Sequence, residues 1–154
     1  MARGYLRPVL AYVAAVLTAA ALGSVIQTQF NLAALARLGI DIPLPVRIST
    51  TLADLAGFAP RYAGLVAAAF AVAFALAELV VRLLGGWHHV VSVLAGIGAI
   101  AAALALMNTA LPMTPIAAAR SLEGIAALAV AGGIGGTVYH ALATPPDWQE
   151  AGDS

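Results

Sequence analysis

The sequence predicts an all-α polytopic membrane protein, an antiparallel bundle of four transmembrane helices with a short amphipathic interfacial segment between the first and second. Three observations lead there. Four apolar runs, at about 8–28, 62–84, 89–111 and 117–142, are each long enough to cross a hydrocarbon core of ~30 Å at ~1.5 Å per residue. Apolar residues make up 62% of the chain and mean hydropathy is +0.97, a balance unlike that of water-soluble domains. In lipid, moreover, each run must satisfy its own backbone hydrogen bonds, so each is a helix. With 154 residues, the chain has room for one membrane domain and a short polar tail at 145–154.

The first run follows Arg3 and Arg7 and so resembles a secretory leader. It is longer than the apolar stretch of such a leader, which makes it the expected first span. Residues 29–61 come next and form the longest connection, and loops beyond ~12–15 residues usually carry structure or function of their own. Leu32, Leu35 and Leu38 recur at helical spacing before Gly39, and Pro43 and Pro45 then interrupt the chain. Thr50 or Thr51 can cap a second short helix bearing Leu52, Leu55 and Phe58, with Asp54 near its positively polarised start and Gly57 and Pro60 at its end. The expectation is an outer cap of two short amphipathic helices lying in the headgroup plane.

Small residues at four-residue spacing mark where helices come close, because lipid removes most of the gain from mutual apolar burial. The last span has the densest set, Gly132, Gly133, Gly135 and Gly136. Ala67, Ala71 and Ala75 form a stripe on the second span, Ala19 and Gly23 on the first, and Ala95 and Ala99 on the third. These faces serve either packing within the chain or contact with another subunit. Gln27-Thr28 followed by Arg37 also parallels Asn108-Thr109 followed by Arg120, the pattern of a two-helix duplication or of alanine-rich helices aligning by chance.

Polar groups inside a membrane are the default place to look for a site. At the outer end these are Gln27, Gln29, Asn31, Arg61, Asn108, Arg120 and Glu123, a set that could hold a lipid headgroup or a carboxylate. Arg120 and Glu123 stand three apart and are expected to pair on one helix face. The plainer alternative is that long side chains reach water while the amides cap helix ends. At the inner end Glu78 is expected to pair locally with Arg82, four residues on, and a proton-relay role for its carboxylate is the alternative. His88, His89 and His140 would lie at similar depth, the geometry for sharing a haem or metal between helices. Beside Trp87 they read first as headgroup anchors, so no cofactor is expected.

Other chemistries are excluded outright. There is no cysteine, hence no thiolate site or disulfide. His-Glu-x-x-His, Gly-x-Ser-x-Gly and phosphate-cradling glycine loops are all missing. Net charge is zero, with no basic patch for nucleic acid. All seven basic residues are arginine, which together with abundant alanine suggests a high-GC bacterial gene and an inner-membrane location. The leading Arg3 and Arg7 favour cytoplasmic termini, although Arg37, Arg47, Arg61 and Arg120 then lie outside and weaken the bias. The expected function is non-enzymatic: an oligomeric or accessory membrane subunit that binds lipid or a larger partner through the glycine face and the cap. The alternatives are a small transporter or channel using Arg61, Arg120, Glu123 and Glu78, and, more weakly, a haem- or quinone-binding electron-transfer subunit.

Overall fold

A computed structural model describes the backbone of residues 2–85, 87–110 and 116–144, with side chains from Leu6 onward within those ranges. The described residues form α1 (Ala2–Arg37), α2 (Leu44–Leu84), α3 (His88–Ala110), a single 3-10 turn (Ala118–Arg120) and α4 (Leu122–Ala143). All four α-helices are long and apolar enough to cross a membrane. The tail at 145–154, with Asp147, Glu150 and Asp153, lies outside the described residues.

The distribution of side-chain size is the reverse of that in a water-soluble bundle. Much of the interior is small: Ala11, Ala15, Ala19 and Ala20 are buried on α1, and Ala129, Ala131 and five glycines on α4. Larger aliphatics point outward, among them Leu10, Leu17, Val72, Leu76, Leu94, Leu106 and Val130. Only 22–39% of the apolar stretch of each helix is buried within the protein, so most of that surface calls for an apolar solvent. At the centre sit Val66, Phe70, Ile100, Leu104 and Leu128, all at 1% exposure or less.

Each helix packs mainly on two others, α1 on α2 and α4, and α3 on α2 and α4. Later residues of one helix meet earlier residues of its neighbour: Gln29 lies by Thr51 and Tyr12 by Ala67, while Arg7 reaches Thr144 and Gln27 reaches Ala118. Phe70 and Phe74 project from α2 across the centre. Phe70 lies over Gly135, and Phe74 stacks on Tyr139 at 4.3 Å.

Residues 29–61 differ from the sequence expectation. They are not two short helices separate from the spans but the far ends of α1 and α2, which a six-residue connection at 38–43 joins. Gly39 does end α1, at φ +83°, with its N–H on the carbonyl of Ala36. Pro43 and Pro45, read as breaks, instead start α2. Pro43 is its extended N-cap, and Pro45 falls in the first turn, where an amide N–H has no helical partner to lose. Gly57 and Pro60 do not end anything either. Pro60 leaves the carbonyl of Ala56 without its helical donor, a defect of ~3 kcal/mol in an isolated helix. Packing on either side offsets it: Phe58 stacks on Tyr62 at 5.5 Å, and Tyr62 is 4% exposed against Gly23.

The fourth span also departs from expectation, beginning as an α-helix at Leu122 rather than 117. Ser121 is extended (φ −125°, ψ 150°), and its hydroxyl accepts from the N–H of Gly124 at 3.1 Å, an N-cap. The chain folds back so closely there that a Cβ on Gly124 would meet the carbonyl of Ala118 at 2.0 Å. Ser121 therefore separates Arg120 from Glu123, and the shared helix face expected for that pair does not exist.

Candidate functional site

Polar side chains gather at the two ends of the helices, and the geometry at each end is different. At the end holding the 38–43 connection, α1 and α2 are joined by a ladder of hydrogen bonds. Thr28 Oγ1 lies 2.7 Å from Asp54 Oδ2 and 2.9 Å from the carbonyl of Ser24, two acceptors for its one proton. Gln29 Nε2 donates to Thr51 Oγ1, and Arg47 donates to Gln29 Oε1, both at 3.3 Å. Thr51 Oγ1 in turn donates to the carbonyl of Arg47 at 2.8 Å. Thr28 is fully buried, so in lipid this pairing holds a hydroxyl and a carboxylate where neither could be left unpartnered cheaply.

Two of the expected outer residues grip the turn before α4. Gln27 Oε1 accepts from the N–H of Ala118 at 2.9 Å, and Asn108 Nδ2 donates to the carbonyl of Ala119 at 3.1 Å. These amides satisfy backbone groups that the 3-10 turn would otherwise leave open. Asn31, Arg61, Arg120 and Glu123 are exposed. Of the seven, Gln27, Gln29 and Asn108 make the bonds just described. Sequence reading missed Thr28 and Asp54 as partners. Their mirror positions about the 38–43 connection were the available signal, hidden because the segment was not read as one helical hairpin.

At the other end Arg7 caps α4. Its Nε donates to the carbonyl of Leu142 at 2.8 Å and its terminal nitrogen to that of Thr144 at 2.6 Å. A cation on the last carbonyls of a helix satisfies open acceptors and opposes the negative end of the dipole. Glu78 is exposed and faces the Tyr139 hydroxyl. Among the described residues no ion pair joins it to Arg82. Glu78 also borders a groove of about 270 Å³ between α1 and α2, whose other walls include Val9, Tyr12 and Phe74. Close by, the rings of His89 and His140 stand 5.2 Å apart at 55°. Among the described residues no three of His, Cys, Asp or Glu converge on one point.

The glycines of α4 meet partners inside the chain. A Cβ on Gly132 would lie 2.4 Å from the carbonyl oxygen of Gly96, and one on Gly136 would lie 2.2 Å from that of Ser92. Gly133 faces Ile97, and Gly135 faces Phe70 and the carbonyl of Ala15. The α3 side of this seam is Ser92, Gly96 and Ile100, one helical position away from the Ala95 and Ala99 stripe read from sequence. All four glycines are buried. A second subunit seeking a small-residue face would have to find another one.

Fold and surface together define an all-helical protein whose four long helices suit a multi-pass membrane protein. No known protein family, curated protein or solved structure matches the chain.

Proposed function

We propose that the protein is a small non-enzymatic integral membrane protein, an antiparallel four-helix bundle of a bacterial inner membrane with both ends cytoplasmic. On this reading it acts as an accessory subunit that engages lipid or a larger membrane partner through the tip of the α1–α2 hairpin. One observation carries the proposal. Past Gln27, where it meets the turn before α4, α1 runs on to Arg37, a further ~15 Å at helical rise. The tip it forms with α2 exposes Leu38, Ile40, Leu44, Val46 and Ile48. The Gln29–Thr51 and Thr28–Asp54 bonds hold the two arms of this extension to each other. A stalk ending in exposed aliphatics, with Arg37 and Arg47 outweighing Asp41 beside them, suits docking to an apolar surface with an acidic rim. The centre, filled by Phe70, Ile100, Leu104 and Leu128, favours this reading over a conducting path through the bundle.

Purification from native membranes into nanodiscs, followed by native mass spectrometry, tests it. Wild type is expected to carry a stoichiometric partner or an enriched acidic lipid. The double variant Leu38→Ser/Leu44→Ser should lose that species and keep its unfolding temperature. A wild-type protein that travels alone with the bulk lipid profile would overturn the proposal.

A further inference from the structure

We infer that His89 and His140 form a two-histidine site for a divalent zinc-class ion, which would tie the start of α3 to the end of α4. The ring separation is the first support. Zinc–imidazole bonds are ~2.1 Å and a ring centroid lies ~1.1 Å behind its nitrogen, so two imidazoles on one tetrahedral ion hold their centroids ~5.2 Å apart. The centroids of His89 and His140 are 5.2 Å apart. A square-planar ion would bring them nearer, to ~4.5 Å, so the spacing suits tetrahedral zinc better than copper.

The second support is the far side of His140. Its Nδ1 lies 3.3 Å from Thr144 Oγ1, one turn further along the same segment. A proton on Nδ1 donated to that hydroxyl selects the tautomer whose Nε2 lone pair can bind an ion, and metal-binding histidines are commonly oriented in this way. Glu78 and His88 both lie within electrostatic range of His140, the carboxylate favouring a cation there and the second imidazole opposing it, so the ring geometry carries the case. Among the described residues no third protein ligand converges, so water or a small anion would complete the coordination. Binding of moderate affinity is therefore expected, with exchangeable positions on the ion.

The placement gives such an ion a structural effect. α3 ends at Ala110 and α4 begins at Leu122, so the chain links them at the end of the seam away from His89 and His140, and the histidine end has no covalent link. An ion shared by the two rings would close that end, and anything that binds only the folded state stabilises it by mass action.

The test uses full-length protein in detergent, purified without a polyhistidine tag, with zinc chloride as the only added ligand. Calorimetry should show saturable binding of one ion per chain, and zinc should raise the unfolding temperature. Both effects should vanish in His89→Ala and in His140→Ala and persist in His88→Ala. In EDTA every variant should unfold at the wild-type temperature. Any that does not is replaced by the matching glutamine variant, which keeps the ring's bulk and polarity without its ligand geometry. Cobalt(II) in place of zinc should give the intense visible bands of four-coordinate ions. Three results would overturn the site: no saturable zinc binding by wild type, binding that survives loss of either ring, or binding that depends equally on His88. In those cases the two tilted rings are merely in contact.

Discussion

The α3–α4 seam and the α1–α2 hairpin solve one problem, holding two helices together in lipid, by opposite means. In the seam nothing stands between the backbones: Gly96 lies against Gly132 and Gly136 against Ser92, so dispersion between main chains does the holding. In the hairpin side chains do the reaching, through Thr28, Asp54, Gln29, Thr51 and Arg47. A backbone contact depends on the absence of side chains, and a hydrogen-bond ladder on their presence. Substitutions should therefore fail differently in the two places.

The largest effect is expected in the seam. Gly96→Leu puts its first side-chain carbon 2.2 Å from the carbonyl oxygen of Gly132, which no rotamer relieves. The α3–α4 pair must separate, at a cost at or above the ~1–3 kcal/mol typical of overpacking, and the variant should lose its cooperative thermal transition in detergent. If Gly96→Leu unfolds like wild type, α3 and α4 do not touch in this way. Next comes the ladder. Asp54→Ala removes the carboxylate from Thr28 but leaves the hydroxyl its second acceptor at Ser24, so a loss of about 1.5–3 kcal/mol is expected, without collapse of the bundle. Asp54→Asn should recover much of it, and equal losses in both variants would show that the pair contributes little.

Arg7→Ala strips the cap from α4. Because Arg7 is exposed, the expected loss is only about 0.3–1 kcal/mol, and it should shrink as salt is added. A salt-independent loss would point to packing by the arginine stem instead. Smallest of all is Gly98→Ala. Gly98 stands two residues from Gly96 on the same helix, yet a Cβ there meets nothing within 4 Å. The change should be neutral or stabilising by up to about 0.5–1 kcal/mol through helix propensity, and a clear loss would mean that this face of α3 is covered.

How much of this could be read from sequence depended on whether a signal was local. The spans were legible because hydropathy is a property of each segment by itself. Gly132 and Gly136 were legible as a close-contact face for the same reason, but their partners Ser92 and Gly96 were not, since no single helix records which neighbour it meets. The hairpin was misread because Pro43, Pro45, Gly57 and Pro60 are punctuation only when nothing outvotes them. At Pro45 helix geometry makes the missing N–H harmless, and at Pro60 the burial of Tyr62 outweighs one lost bond. Of the polar residues, those that cap backbone, Gln27 and Asn108, were visible as intramembrane amides. Their acceptor and donor, the turn at 118–120, exists only once Ser121 has broken the fourth helix.

The grip of Arg7 on the carbonyls of Leu142 and Thr144 orders the events of synthesis. Those two acceptors close α4, which is made after α1, α2 and α3, so Arg7 must stay solvated at the interface until α4 has emerged. α1 and α2 meet much earlier, and their bonds between Thr28 and Asp54 and between Gln29 and Thr51 need nothing made later. The hairpin can therefore wait in the bilayer as a finished half. α4 then arrives to three tasks at once: seating its glycines on α3, bringing Gln27 the turn that precedes it, and offering Arg7 the carbonyls at its end.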